Sequence, residues 1–169
     1  NAFVRQGNLD ASFKAYEAAV REDAKSICGL AGSSHARPTS KGRPAPAELL
    51  KQLLNRSNRA WEKAFLQATI ARVQLAGSNV KSARDWADEA LATAPSHSVA
   101  WFASAEVARR EKDEAKALEA YGKAAELDGS WSQARLSYAD ALAKQGGESV
   151  PKAIAQYEAV LLIDQNEND

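Results

Sequence analysis

A small residue returns along this chain at Ser12, Ala83, Ala117 and Ala153, at successive intervals of 71, 34 and 36 residues. The last two intervals are single repeats, and the first is close to two, which leaves room for a degenerate copy over roughly residues 26–61. A sequence with a period of this length does not close around one central core. Each copy buries an apolar face against the next, which restricts the fold to a linear stack.

The best-formed copy runs from Trp101 to Asp128, WFASAEVARREKDEAKALEAYGKAAELD. It holds two helical patterns joined by the polar turn Lys112-Asp113, with small residues at Ala105, Ala117 and Ala124 and a large aromatic at Tyr121. Residues 1–23 repeat its second half, with the turn Gly7-Asn8-Leu9-Asp10 followed by Ser12, Tyr16 and Ala19 at matching offsets. Further along, Ser57-Asn58 offers a helix cap, and Arg59 to Ala76 reads as a long helix bearing Trp61, Phe65, Ile70 and Val73. Gly77-Ser78-Asn79 turns the chain into a helix from Lys81 to Ala92, ended by Pro95. Helices over Ser132–Lys144 and Pro151–Ile163, separated by glycines, complete the pattern.

These residues resemble the tetratricopeptide repeat (TPR) family, whose unit of about 34 residues is a helix-turn-helix with Trp, Leu-Gly, Tyr, Ala, aromatic, Ala and Pro at set positions. Trp101, Ala105, Ala117, Tyr121 and Ala124 match in one copy. Ala71, Ala83, Ala90, Leu91 and Pro95 match in the copy before it, and Tyr138, Ala139, Leu142, Ala153, Tyr157 and Asp164 in the copy after. The chain departs from the pattern at Ser104-Ala105 in place of Leu-Gly, at Ala87 where an aromatic is expected, and at a two-residue insertion around Gly146-Gly147. The resemblance implies an all-α, right-handed superhelical solenoid of helix-turn-helix TPR units. Its expected organisation is the C-terminal part of a first unit over residues 1–31, an insert over 32–46, then a helix and three units at about 62–97, 98–131 and 132–165 within residues 47–169.

Residues 32–46, GSSHARPTSKGRPAP, break the rhythm. Glycine, proline and serine with Arg37, Lys41 and Arg43, and no acid, make a basic loop without the apolar content to fold. Ala47 to Arg56 then resumes an amphipathic helix, either the second helix of the degenerate unit or a packing helix that follows a plain linker. Residues 25–63 hold eight Lys or Arg against two acids, which permits docking of the loop on an acidic polymer. No stacking aromatic lies within the loop, which argues against a nucleic-acid partner.

Over the whole chain, 22 Lys and Arg balance 22 Asp and Glu, so net charge selects no partner. The single Cys28 rules out an intrachain disulfide framework, and His35 and His97, far apart, argue against a dedicated zinc site. No hydrolase, metalloprotease, phosphate-loop or dinucleotide motif is present, so we expect no catalytic residues, no metal and no cofactor. No run of 18 apolar residues would form a transmembrane segment. The opening at Asn1 within a helical pattern reads as part of a longer protein, and the alanine-rich, methionine-free composition has a bacterial look. Cytoplasm and bacterial periplasm or envelope are both compatible with it.

A TPR solenoid implies a non-enzymatic protein-interaction module or scaffold that binds a partner in a groove lined by each unit's first helix. Carried over residue by residue, the groove positions are Phe65, Ala68 and Arg72, then Phe102, Glu106, Arg109 and Arg110, then Gln133, Leu136, Asp140 and Lys144. This lining predicts a protein or peptide segment of mixed charge with an apolar anchor, Phe65 and Phe102 being the apolar platforms. Alternatives are self-association into a homo-oligomer through uncapped ends, as a structural segment of an envelope, secretion, pilus or polysaccharide assembly, and docking of an acidic polymer by the basic loop.

Overall fold

The computed structural model describes residues 46–166. The expected first unit, the basic loop with Arg37, Lys41 and Arg43, and Cys28 and His35 lie outside them. Seven α-helices and one 3₁₀ turn follow in order: α1 (Pro46–Arg56), α2 (Ala60–Ala76), α3 (Val80–Thr93), α4 (Ser98–Arg110), α5 (Glu114–Leu127), α6 (Ser132–Gln145), the turn Gly147–Ser149, and α7 (Val150–Asn166). No strand occurs among the described residues.

The turns inside the first two helix pairs are built alike, 34 residues apart. Ser78 and Lys112 take left-handed φ values of 61° and 65°. The amides of Asn79 and Asp113 then reach back to Gln74 O and Ala108 O, at 2.9 and 3.0 Å. This is the Schellman ending, which satisfies carbonyls that a helix terminus leaves without partners. Asn79 and Asp113 also cap the next helix, accepting from the amides of Ser82 and Lys116 at 3.4 and 3.1 Å. The third pair is joined differently. Gly146 and Gly147 both have positive φ, 72° and 56°, and the inserted residues wind into the 3₁₀ turn. Glycine suits this site because it adopts that conformation at no steric cost.

One expected cap is absent. Arg59, not Ser57 or Asn58, occupies the N-cap of α2 and makes no side-chain capping bond. Ser57 instead donates its hydroxyl to Glu62 Oε2 at 2.8 Å, placing it over the first turn without closing it.

α2 pairs with α3, α4 with α5 and α6 with α7, and each pair stacks on the next through α3 against α4 and α5 against α6. Alanine makes this possible, because side chains of one carbon let ridges of neighbouring helices interlock closely. Ala64, Ala68, Ala83, Ala90, Ala100, Ala105, Ala124 and Ala134 are all fully enclosed. α2 is flanked by α1, α3 and α4, and every residue from Ala64 to Ala71 is buried. The stretch is mostly apolar, with Leu66 and Ile70 among the largest, and its two polar members are bonded: Thr69 Oγ1 donates to Phe65 O at 2.8 Å and Gln67 Nε2 to Glu89 Oε2 at 3.3 Å. Leu50 of α1, fully buried, seals that side.

Two clusters form the core, one around α2, α3 and the start of α4, the other where α4, α5 and α6 meet, and Trp131 packs against both. Ala87, where the repeat pattern expects an aromatic, is buried, and the indole of the adjacent Trp86 packs against the first cluster. α2 also packs directly on α4, whereas α6 holds to the stack chiefly through α5. That difference opens a cleft between α4 and α6.

Candidate functional site

The cleft has a volume of about 280 Å³ and a floor made by α5. Glu106 and Arg109 line it from α4, and Ser137, Asp140 and Lys144 from α6. Glu114, Ala117 and Tyr121 of α5 lie between them. Four of the residues expected on the groove, Glu106, Arg109, Asp140 and Lys144, thus converge on one concavity. Glu106 and Asp140 are 34 residues apart and occupy the same position on successive first helices.

Glu106 is the electrostatic centre. Its Oε1 accepts the hydroxyl of Tyr121, and its two oxygens accept Arg109 Nε and Nη2 at 3.3 and 3.1 Å. The hydrogen bond to Glu106, reinforced by its charge, raises the Arg109 pKa above the ordinary guanidinium value. Burial, with the neighbouring Glu106 carboxylate, pushes the Tyr121 phenol well above the usual range, so it stays a protonated donor. On the facing wall Lys144 pairs with Glu114, and Asp140 Oδ1 accepts the Tyr157 hydroxyl at 2.6 Å. The Asp140 bond raises the Tyr157 pKa. Both ion pairs leave a large part of their side chains exposed. Such pairs contribute at most about 1 kcal/mol each to the fold, so a ligand can exchange with them at little structural cost.

The remaining groove residues lie elsewhere. Phe102 is 2% exposed, its ring 5.6 Å from Tyr121 and 4.8 Å from Trp131, and Phe65 is 5% exposed, 6.2 Å from the His97 ring. Neither can serve as an apolar platform, which corrects the sequence expectation. α4 covers one side of α2, and Trp131 reaches back over Phe102, so ring faces expected on the wall are closed into the core. Ala68 is buried for the same reason. Arg110 is exposed and turns to the last turn of α2, donating to Leu75 O at 3.4 Å. Gln133 is exposed and Leu136 is 44% exposed, and neither lines the cleft. Arg72 projects from α2 with its guanidinium carbon 5.5 Å from the centre of the Phe102 ring.

Tyr121 and Glu114 are additions that the sequence did not announce as cleft residues. The tyrosine was expected to pack, and it does, but its hydroxyl also orients Glu106. Glu114 follows the capping Asp113 and meets a lysine 30 residues away, a pairing visible only once the stagger of α5 and α6 is known.

A wider cavity of about 660 Å³ opens on the other flank of α5 and α6. Gly122 brings α5 close to Tyr138 there, an added Cβ lying 3.2 Å from its ring. Its charged groups are largely used internally. Lys123 pairs with Glu126 at 3.0 Å, and Arg135 donates to Gly129 O at 2.6 Å and to Gln156 at 2.8 Å. Among the described residues no group of three or more His, Cys, Asp or Glu is placed to hold a metal ion. No helix there is long and apolar enough to cross a membrane.

At the edge of the wall His97 caps α4, its Nδ1 accepting the Val99 amide at 3.3 Å. Burial lowers its pKa from the ordinary value of 6.5, with Asp128 opposing. A folded pKa below the unfolded one means that the unfolded chain takes the proton first as pH falls. The stabilisation is therefore complete above pH 6.5 and is lost as pH falls from there through the lower folded value. We expect the urea midpoint to drop between pH 7.5 and pH 5.0 by more in the wild type than in His97→Asn, whose side chain caps without titrating in this range. Equal drops would show that His97 does not contribute.

No protein-family model matches the chain, and no curated protein sequence matches it. Solved structures do. One crystal structure of MamA superposes with a TM-score of 0.60 at 18% identity, over 99% of this chain and 95% of that one. MamA of Desulfovibrio magneticus RS-1 gives 0.60 at 14% identity over 99% and 92%. YrrB, described as a TPR protein with an unusual peptide-binding site, gives 0.54 at 15% identity over 96% and 81%. At these identities the likeness shows the fold. Over the described residues the chain is an all-α, right-handed superhelical stack of TPR-type helix-turn-helix units.

Proposed function

From this TPR-type fold, we propose that the chain is a non-enzymatic peptide-binding module and that an extended partner segment of mixed charge seats in the cleft between α4 and α6. The observation that carries the reading is the convergence of Glu106, Arg109, Asp140 and Lys144 from two first helices around the oriented hydroxyl of Tyr121. A wall with both signs of charge, held by exchangeable ion pairs over a rigid aromatic floor, suits a polypeptide that brings complementary charges and backbone groups. YrrB, which has a similar fold, is described as having a peptide-binding site, and this adds support. We read α2 with α3, α4 with α5, and α6 with α7 as the three units expected at about 62–97, 98–131 and 132–165, with α1 packed ahead of them.

The test is a random-peptide selection on the wild-type chain, followed by affinity measurements on the variant Arg109→Glu/Lys144→Glu. Selected peptides should carry both charge signs, and reversal should weaken them by about thirtyfold or more, as expected when interfacial charge pairs are inverted. The urea midpoint should move little, since these cations are exposed. Undiminished affinity in the reversed variant would place the partner on another face.

A further inference from the structure

The arginines whose side chains are described differ in one respect. Arg59 pairs with Glu62, Arg84 with Glu111 and Arg109 with Glu106, while Arg110 and Arg135 donate to backbone carbonyls. Arg72 has no hydrogen-bonded or ion-paired acceptor among the described residues, although it is half-buried and lies over Phe102. Its neighbouring acid is already engaged, because both oxygens of Glu106 receive Arg109, and one of them Tyr121 as well. A guanidinium drawn to an aromatic ring keeps N–H donors for a planar acceptor, and a partly desolvated cation without one is costly. Burial accordingly lowers the Arg72 pKa, with Glu106 opposing.

We propose that Arg72, held beside the Phe102 ring, is the anchor for an aspartate or glutamate side chain of the partner polypeptide. This rests on the reading of the inner wall as a peptide site and specifies its chemistry. Arg72, Glu106 and Asp140 recur at intervals of 34 residues, so the wall presents a cation at the α2 end and acids further along. The partner therefore carries its acid at the α2 end. Adjacent helices lie about 10 Å apart, which three residues of extended chain span, so this acid sits about three residues from the segment filling the cleft. A carboxylate fits better than a phosphate monoester. Its single charge and two coplanar oxygens match the guanidinium fork, whereas a dianion would meet the Glu106 carboxylate close by.

The test follows the Arg72 Nε–H, Trp131 indole and Tyr121 signals by NMR while three probes are added to the whole chain. The probes are acetyl-Gly-Gly-Glu-Gly-Gly-amide, the same peptide with Gln for Glu, and inorganic phosphate. The glutamate peptide should shift Arg72 and Trp131 saturably and bind at least tenfold more tightly than the other two. Arg72→Gln should abolish the Trp131 response, and Arg72→Lys, which keeps the charge without the fork, should weaken it severalfold. The wild-type comparison of Glu with Gln needs no variant and stands if Arg72→Gln unfolds. Equal binding of the two peptides, an unaltered response in Arg72→Gln, or tighter binding of phosphate would overturn the assignment. Peptides selected for the cleft that shift Tyr121 but leave Arg72 unmoved would also overturn it while sparing the cleft. An Arg72 response to glutamate, with reversal at Arg109 and Lys144 harmless to selected peptides, would support the anchor and defeat the cleft reading.

Discussion

Phe102→Ala is expected to lower the unfolding free energy by about 3–5 kcal/mol, the range for removing a fully buried aromatic ring. In urea this is a midpoint shift on the order of 1 M or more. The ring is 2% exposed and in contact distance of two other aromatics, Tyr121 of its own pair and Trp131 of the next. Its removal would leave a cavity at the junction of α4, α5 and α6, lined largely by alanines too short to fill it. It would also take the support from beneath Arg72. Leu136→Ala, at a residue 44% exposed, should fall within about 0.5 kcal/mol of wild type and serves as the control. A loss comparable to the control would mean that the cluster does not bear on stability. If the large loss is found, abolished binding in Phe102→Ala reports unfolding and carries no information about the wall.

The stack was legible because its punctuation repeats. Asn79 and Asp113 cap helices at equivalent positions, the residues before them turn with positive φ, and the enclosed alanines recur in register. Each of these is a local rule, readable within one turn of helix. What was not legible depends on how closely neighbouring helices approach. Phe65 and Phe102 were assigned to an open wall because their helical position faces the groove in an ideal unit. Here α2 is hemmed in by α1, α3 and α4, and Trp131 folds back over Phe102, so the same position is interior. The replacement of an aromatic at Ala87 by Trp86 is of the same kind. A shift of one residue is 100° around a helix, and only the partner surface decides whether a large indole can reach around it.

The charged residues divide along the same line. The repeat positions single out Glu106, Arg109, Asp140 and Lys144, and these four line one cleft between α4 and α6. Glu106 with Arg109 is a pair at helical spacing, but the partners on other helices are not readable from the sequence. Glu106 with Tyr121, and Lys144 with Glu114, join residues 15 and 30 positions apart, beyond any helical spacing. Such pairs follow from the stagger between helices, and that stagger is set by the size of the interfacial alanines, which carry no charge pattern of their own.

Leu66→Ala is the second large effect, expected at about 2–5 kcal/mol, and its consequences should be unevenly distributed along the chain. Leu66 is 1% exposed in the core shared by α2, α3 and α4. At the other end, α7 leaves Ile154, Leu161 and Leu162 more than half exposed, and α6 meets the rest chiefly through α5. In a stack of this kind stability is a sum of unit and interface contributions, so a damaged unit weakens itself and its neighbours most. Amide exchange in the wild type should therefore be slowest in α2 and fastest in α7, as local opening follows contact density. Leu66→Ala should raise exchange rates across α2, α3 and α4 and change those of α7 little. Leu161→Ala, which deletes the same atoms at a residue 61% exposed, should leave α2 unchanged and cost at most about 0.5 kcal/mol. A uniform rise along the whole chain after Leu66→Ala would instead mean that all seven helices unfold as one cooperative unit and that the looser seat of α6 has no energetic counterpart.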